Sequence, residues 1–142
     1  MVNVGAAGTF VVRARMSRSV VEAALARELP FVTAIVTCEG ARIINLIRED
    51  PLAEYAGQVD VTRFVSTLGK TPNADPELPI EFGEGRSWLV RLVGRSDRFV
   101  LGVYRRDPKT INHLGRVDKM YDGPITTRNW NTITAIARVL DS

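Results

Sequence analysis

Runs of strand character and runs of helix character alternate through the first half of this chain, and that alternation restricts its fold more than any other feature. Thr9-Phe10-Val11-Val12-Arg13 is β-branched and aromatic, as a strand requires. Ser19 and Glu22 stand at capping-box spacing, and a helix from Val20 places Val21, Ala24 and Leu25 on one face. Pro30 ends that helix, because its ring cannot continue the backbone ladder. Phe31 to Thr37 is an apolar run of strand length. Glu39 to Glu49 reads as a second helix with Ile43, Ile44 and Ile47 inward, closed by Asp50-Pro51. Then Val59, Val61, Arg63 and Val65 alternate with Asp60, Thr62 and Phe64, the period of a strand that runs to Leu68. The order β-α-β-α-β predicts a sheet with helices packed against it.

The stretch from Gly69 to Pro79 holds Pro72, Pro76 and Pro79 and few apolar residues, so it predicts a linker. The expected organisation is α+β in two small lobes: residues 1–68, a linker at 69–79, and residues 80–142. The second lobe opens with a hairpin, Ser87 to Val93 and Arg98 to Tyr104, turning at Gly94-Arg95-Ser96-Asp97. Trp88, Val90 and Leu92 point to one side of it, Leu89 and Val93 to the other. A hairpin in water normally solvates one face. Here both are apolar, which calls for a covering helix or a second subunit. Two helices end the chain. One runs from Ile111 to Tyr121 and stops at Gly123, a good C-cap residue. The other starts near Thr127 and aligns Trp130, Ile133, Ala137 and Leu140 in one stripe.

Composition narrows the class. Hydrophobic residues are 45% and charged residues 25%, ordinary values for a globular protein with a real core. No apolar run approaches the roughly 20 residues that span a bilayer. Met1-Val2-Asn3-Val4-Gly5 lacks the basic and apolar regions of a signal peptide. The single cysteine, Cys38, excludes an internal disulfide and fits a reducing, cytoplasmic setting. Charge is uneven: residues 86–142 hold 11 basic and 5 acidic side chains, residues 51–85 hold 2 and 6. A basic lobe attracts phosphate. Yet 16 of the 19 basic residues are arginine, which points to a bias of the whole chain rather than a nucleic-acid footprint.

The densest chemistry lies in Thr126-Thr127-Arg128-Asn129-Trp130-Asn131-Thr132. With Thr127 as helix cap, the free N–H groups and positive dipole end favour an anion. Arg128 adds a bidentate donor, and Asn129 and Asn131 add hydrogen-bonding groups. Thr126, Thr127, Arg128, Asn129 and Asn131 are therefore the candidate ligand residues for a small anion or nucleotide. The competing reading is structural: Thr127 caps, Trp130 anchors the core, and Arg128 pairs with an acid such as Asp118. Cys38, at a helix start, has only His113 as a possible imidazole partner. Asp118 and Asp122 stand four apart on the predicted third helix. Gly5-x-x-Gly8 precedes a strand and is a turn signal. In the hairpin, Trp88, Phe99 and Tyr104 stand among Arg86, Arg91, Arg98, Arg105 and Arg106, a pattern that can stack bases or simply form a core. No catalytic constellation, metal-ligand pattern or cofactor fingerprint is read.

Thr-Thr-Arg-Asn-Trp-Asn-Thr followed by an apolar helix resembles the closing signature of a bacterial family, the domain of unknown function numbered sixteen ninety-seven. Gly8-Thr9-Phe10-Val11-Val12 resembles its Ser-Gly-Asn-Val-Val-Phe strand, Asp50-Pro51-Leu52 its Asn-Pro-Phe, and Val61-Thr62-Arg63-Phe64-Val65 its His-Val-Thr-Phe-Leu strand. The resemblance implies two lobes, the first ferredoxin-like, and no established activity. Family members begin with a further strand and helix carrying Arg-Gly-Ile-Asn-Val-Gly-Gly, which this sequence lacks. A truncated ferredoxin-like sheet would expose an edge and an apolar patch, so a homodimer through the first lobe is expected. The functional expectation is a binding or interaction module with a small anionic ligand. The alternatives are an enzyme with scattered acid/base groups or a nucleic-acid binder using the basic C-terminal lobe.

Overall fold

The strand Val61–Leu68 is buried on both of its faces, and this dictates the architecture. Phe64, Val65, Ser66 and Leu68 are all 1% exposed or less. Successive strand residues point to opposite sides, so both sides of the sheet must be covered. The computed structural model describes residues 2–4, 9–12, 17–28, 36–84 and 86–141. Its elements are β1 (Val2–Val4), β2 (Thr9–Val11), α1 (Arg18–Glu28), α2 (Gly40–Glu49), β3 (Val61–Leu68), β4 (Ile80–Glu84), β5 (Ser87–Ser96), β6 (Phe99–Arg105), α3 (Thr110–Asp118), β7 (Ile125–Asn129) and α4 (Trp130–Asp141). A single 3-10 turn, Ala53–Tyr55, precedes β3. Five antiparallel strands form one sheet in the order β4-β5-β6-β3-β7, and β1 pairs antiparallel with β2 in a separate two-stranded sheet. The fold is α+β.

Two cores sit on the two faces of the sheet. Val65, Phe99 and Leu101 pack against Ile43 and Leu46 of α2 and Trp130, Ile133 and Ala137 of α4. Phe64, Leu68, Val90, Leu92 and Val100 pack against Val117 of α3 and Tyr121 beyond it. The two apolar sides of the predicted hairpin are thus both covered by helices of the same chain.

Several boundaries move for local reasons. The hairpin turns at Asp97-Arg98 rather than over Gly94 to Asp97, because Ser96 pairs with Phe99 and Asp97 takes a positive φ of 55° that suits a tight turn. The register shifts between Leu92 and Gly94, a bulge that admits the longer β5. β4 is a strand the sequence pattern did not predict, and β1 another. Val59 lies outside β3 and is fully exposed. Ser17, not Ser19, accepts the capping bond of α1 from the Val20 amide at 3.3 Å, and Glu22 bonds Thr37 at 2.7 Å. Since α3 ends at Asp118, Asp122 is outside the helix and the two do not share a helical face. Of the predicted strand from Phe31 to Thr37, residues 31–35 lie outside the described residues, and Val36 and Thr37 are not in a strand. Gly5 and Gly8 also lie outside them.

The sheet is continuous across residues 69–79. β3 precedes that segment and is bonded on one edge to β6 and on the other to β7, both of which follow it. Proline-rich composition marks a stretch without regular structure, and here such a stretch lies against a sheet. Arg95 donates to both carboxylate oxygens of Asp75 through Nε and Nη2, the latter at 2.7 Å, and Leu78 packs on the α3-side core. Arg98, in the turn, is buried and donates to the carbonyls of Leu68 at 3.0 Å, Gly69 at 3.2 Å and Thr37 at 2.7 Å.

Close packing leaves no room at Gly102. A methyl group there would stand 2.4 Å from the Phe64 ring and 2.8 Å from the Arg91 carbonyl oxygen. Phe64 is fully buried and cannot turn away. Gly102→Ala is expected to destabilise by about 1–3 kcal/mol, the range for overpacking a dense core, as read by urea unfolding. An unchanged midpoint would show that this face of β6 is looser than described.

Candidate functional site

The segment predicted as a helix start is divided between a strand and a helix. Thr126, Thr127 and Arg128 lie in β7, opposite Thr67, Ser66 and Val65 of β3. Residues facing each other across an antiparallel pair point to the same side. Thr127 therefore shares a face with buried Ser66, and their hydroxyl oxygens are 2.6 Å apart. Arg128 falls on the side of Val65, where its Nε donates to Thr9 at 2.8 Å and its Nη1 to the Thr127 carbonyl at 2.8 Å. Burial pushes the Arg128 pKa down. Asp118 belongs to the helix on the opposite side of the sheet, so the expected Arg128–Asp118 partnership does not form.

The cap is Asn129, not Thr127. Its side-chain oxygen accepts from the Thr132 amide at 2.9 Å, the N-cap to N3 bond, and α4 begins at Trp130. Strand pairing of Thr126 and Thr127 with β3 overrides their capping preference. Asn129→Ala is expected to lower stability by about 1 kcal/mol, while Asn129→Ser and Asn129→Asp, which keep an acceptor, retain most of it. Equal losses in all three variants would argue against the cap.

Around that cap lies a shallow cleft of about 160 Å³, lined among others by Tyr55, Gln58, Arg63, Asn129, Trp130 and Asn131. It gathers two of the predicted ligand residues, Asn129 and Asn131, at the amino end of a 12-residue helix. Thr126, Thr127 and Arg128 do not line it. The cation present is Arg63, missed as a site residue although the pattern held a signal. In the alternation of Val61, Arg63 and Val65 it is a charge on the apolar side of a strand. The Arg63 guanidinium lies 5.4 Å from the centre of the Trp130 ring and 3.8 Å from Asp50. Its side chain is 22% exposed, enough for a ligand to reach.

A larger hollow of about 190 Å³ lies between α2 and the β5–β6 turn, lined by Arg42, Asn45, Glu49, Asp97 and others. Arg42 is already joined to Asp97 and lies 3.8 Å from Glu39, so its charge is spent locally. Cys38 packs on the α2 and α4 side of the sheet, while His113 lies on α3 across it, with Nε2 3.3 Å from Glu84. The sheet thus keeps the only thiol and the only imidazole apart. Burial also pushes the Cys38 thiol up, more than nearby Arg98 and Arg42 pull it down. Asp118 is pushed up by burial as well, but it is remote from Arg128 and from the cleft.

The hairpin aromatics do not form an open stacking surface. Phe99 is buried in the α2 and α4 core, and Tyr104 packs on the α3 side against Phe64. Trp88 is already stacked by Arg91 at 4.2 Å and Arg105 at 4.0 Å from its ring centre, which occupy the surface a base would need. Arg98, counted among the candidate base-stacking arginines, is spent on backbone carbonyls. Among the described residues, no helix is long and apolar enough to cross a membrane, and no three His, Cys, Asp or Glu side chains are grouped to hold a metal ion. Scans of this chain against family models, curated proteins and solved structures gave no match.

Proposed function

We propose that this protein is a binding module whose ligand site is the cleft at the start of α4, and that the cleft takes a small anion such as phosphate or a carboxylate. The observation that carries this reading is the meeting of Arg63 with the amino end of α4 in one concave surface. A helix amino terminus presents N–H groups and a partial positive charge. Arg63 adds a planar donor fork, and Asn131 adds an amide. At about 160 Å³ the cleft matches a single anionic group better than a whole nucleotide, which would project from it. The resemblance to the family numbered sixteen ninety-seven belongs to this proposal through the Thr126 to Thr132 motif, three of whose residues, Asn129, Trp130 and Asn131, line the cleft. It supplies no activity.

Arg63→Ala is expected to weaken phosphate binding by about tenfold or more, equivalent to 1.4 kcal/mol or more, as measured by titration calorimetry. Arg128→Ala is expected to leave it unchanged. The reverse pattern would return the site to Arg128 and sink the cleft. Self-association is part of the same reading, because Phe10 and Val20 in the first third are 46% and 51% exposed. Light scattering at micromolar concentration is expected to give a dimer mass, and a monomer mass would refute it. A reducing, cytoplasmic setting likewise fits the single cysteine.

A further inference from the structure

Arg63 does not stand alone on its side of the sheet. Arg63 and Arg91 both lie opposite Val103, on the two flanking strands, and Arg105 is two residues beyond Val103. All three side chains therefore project from the face that carries Val65 and Leu101. Contacts agree with this placement. Arg63 lies over Trp130, Arg91 reaches the Tyr55 hydroxyl at 3.3 Å, and Arg91 and Arg105 share Trp88. A diagonal neighbour on an adjacent antiparallel strand is about 7–8 Å away, so the Arg105 stem rises next to that of Arg63.

The three cations differ in how firmly they are held. Arg91 is committed to Glu81, with contacts of 2.6 and 2.7 Å. The carboxylates nearest Arg63 and Arg105, Asp50 and Asp60, are at 3.8 and 3.9 Å, beyond hydrogen-bond range. The Asp60 side chain is 75% exposed and free to swing into water, and that of Arg105 is 35% exposed. Arg105 donates to the Trp88 carbonyl at 3.3 Å through Nη1, while its Nε has no hydrogen-bond partner among the described residues. The Nε itself is buried, so a second anionic group beside the cleft would meet this guanidinium on the exposed part of the side chain, where no carboxylate is within hydrogen-bond range.

We infer that the ligand is a molecule with two linked anionic groups, of the pyrophosphate type, one held by Arg63 in the cleft and the other by Arg105 next to it. This rests on the cleft being an anion site. The test uses the whole chain in metal-free buffer, with inorganic phosphate and pyrophosphate titrated calorimetrically. Pyrophosphate is expected to bind about tenfold or more tightly than phosphate, the worth of one added charge-assisted contact at a half-exposed site. Arg105→Gln is expected to erase that advantage and leave phosphate affinity unchanged. Because Arg105 also stacks on Trp88, tryptophan fluorescence gives a readout without that substitution. Pyrophosphate, but not phosphate, is expected to change a component of the emission that Trp88→Phe removes. Equal affinity for both ligands, or an Arg105→Gln variant that keeps the pyrophosphate advantage, overturns the inference and leaves the cleft standing. Binding of neither ligand overturns both. A single-stranded oligonucleotide that binds more tightly than pyrophosphate, with steep salt dependence, would replace the compact ligand with a polyanion.

Discussion

Trp130→Ala is expected to cost about 3–5 kcal/mol, the range for removing a large aromatic side chain from a core. Trp130 is 7% exposed and packs in the cluster formed by α2, α4 and the central strands. It also carries Arg63 on its ring. Its loss would open a cavity under the first turn of α4 and release the cation that defines the cleft. Since whole domains are stable by only about 5–15 kcal/mol, much of the folding free energy would go. Trp130→Phe is expected to lose less, because it keeps a ring in the site. Urea unfolding of both variants measures this. A loss below about 1 kcal/mol for the alanine variant, typical of an average substitution, would show that the indole is not the anchor of that layer.

Arg98→Ala is expected to be the next most damaging change, although the residue order shows Arg98 only as the charged first residue of a predicted strand. Its guanidinium donates to the carbonyls of Thr37, Leu68 and Gly69. It thereby ties the entry to α2 and the exit from β3 to the β5–β6 turn. Leaving buried acceptors without donors costs about 1–3 kcal/mol each. Partial exposure of two of these bonds reduces that, so a total of about 2–4 kcal/mol is expected. Arg98→Lys is expected to recover less than half, because a single ammonium cannot reproduce a planar fork that reaches three carbonyls. A loss within about 0.5 kcal/mol, the range of ordinary surface changes, would place Arg98 in solvent.

The residue order and the candidate cleft overlap in part. Asn129 and Asn131 were singled out because amide side chains at a helix start carry their own signal, and both line the cleft. The helix start read at Thr127 falls in a strand, with Thr126 beside it. Threonine favours both caps and strands, and only the presence of β3 alongside decides between them. Arg128 was chosen for its neighbours in sequence, but strand alternation turned it toward Thr9. Arg63 was passed over because its cleft partners are distant in sequence, although a charge among alternating valines marked it. The hairpin arginines show the same limit. Arg91, Arg98 and Arg105 look alike in the sequence, yet one is fixed by Glu81, one is buried on carbonyls, and one retains an unbonded N–H.

By itself the residue order determined the periodic elements: the α2 helix, the β3 strand, the two-sided apolar hairpin and the Trp130 stripe of α4. Each follows from spacing between neighbours, because a helix or strand shows its buried side at a fixed period. Tertiary structure alone decided that β3 lies between β6 and β7, that residues 69–79 lie against the sheet, and that α3 covers one face while α2 and α4 cover the other. Those outcomes depend on which strand edges meet across dozens of residues. The free energy of that pairing comes from burying both faces of one sheet, and no local window of the sequence contains it.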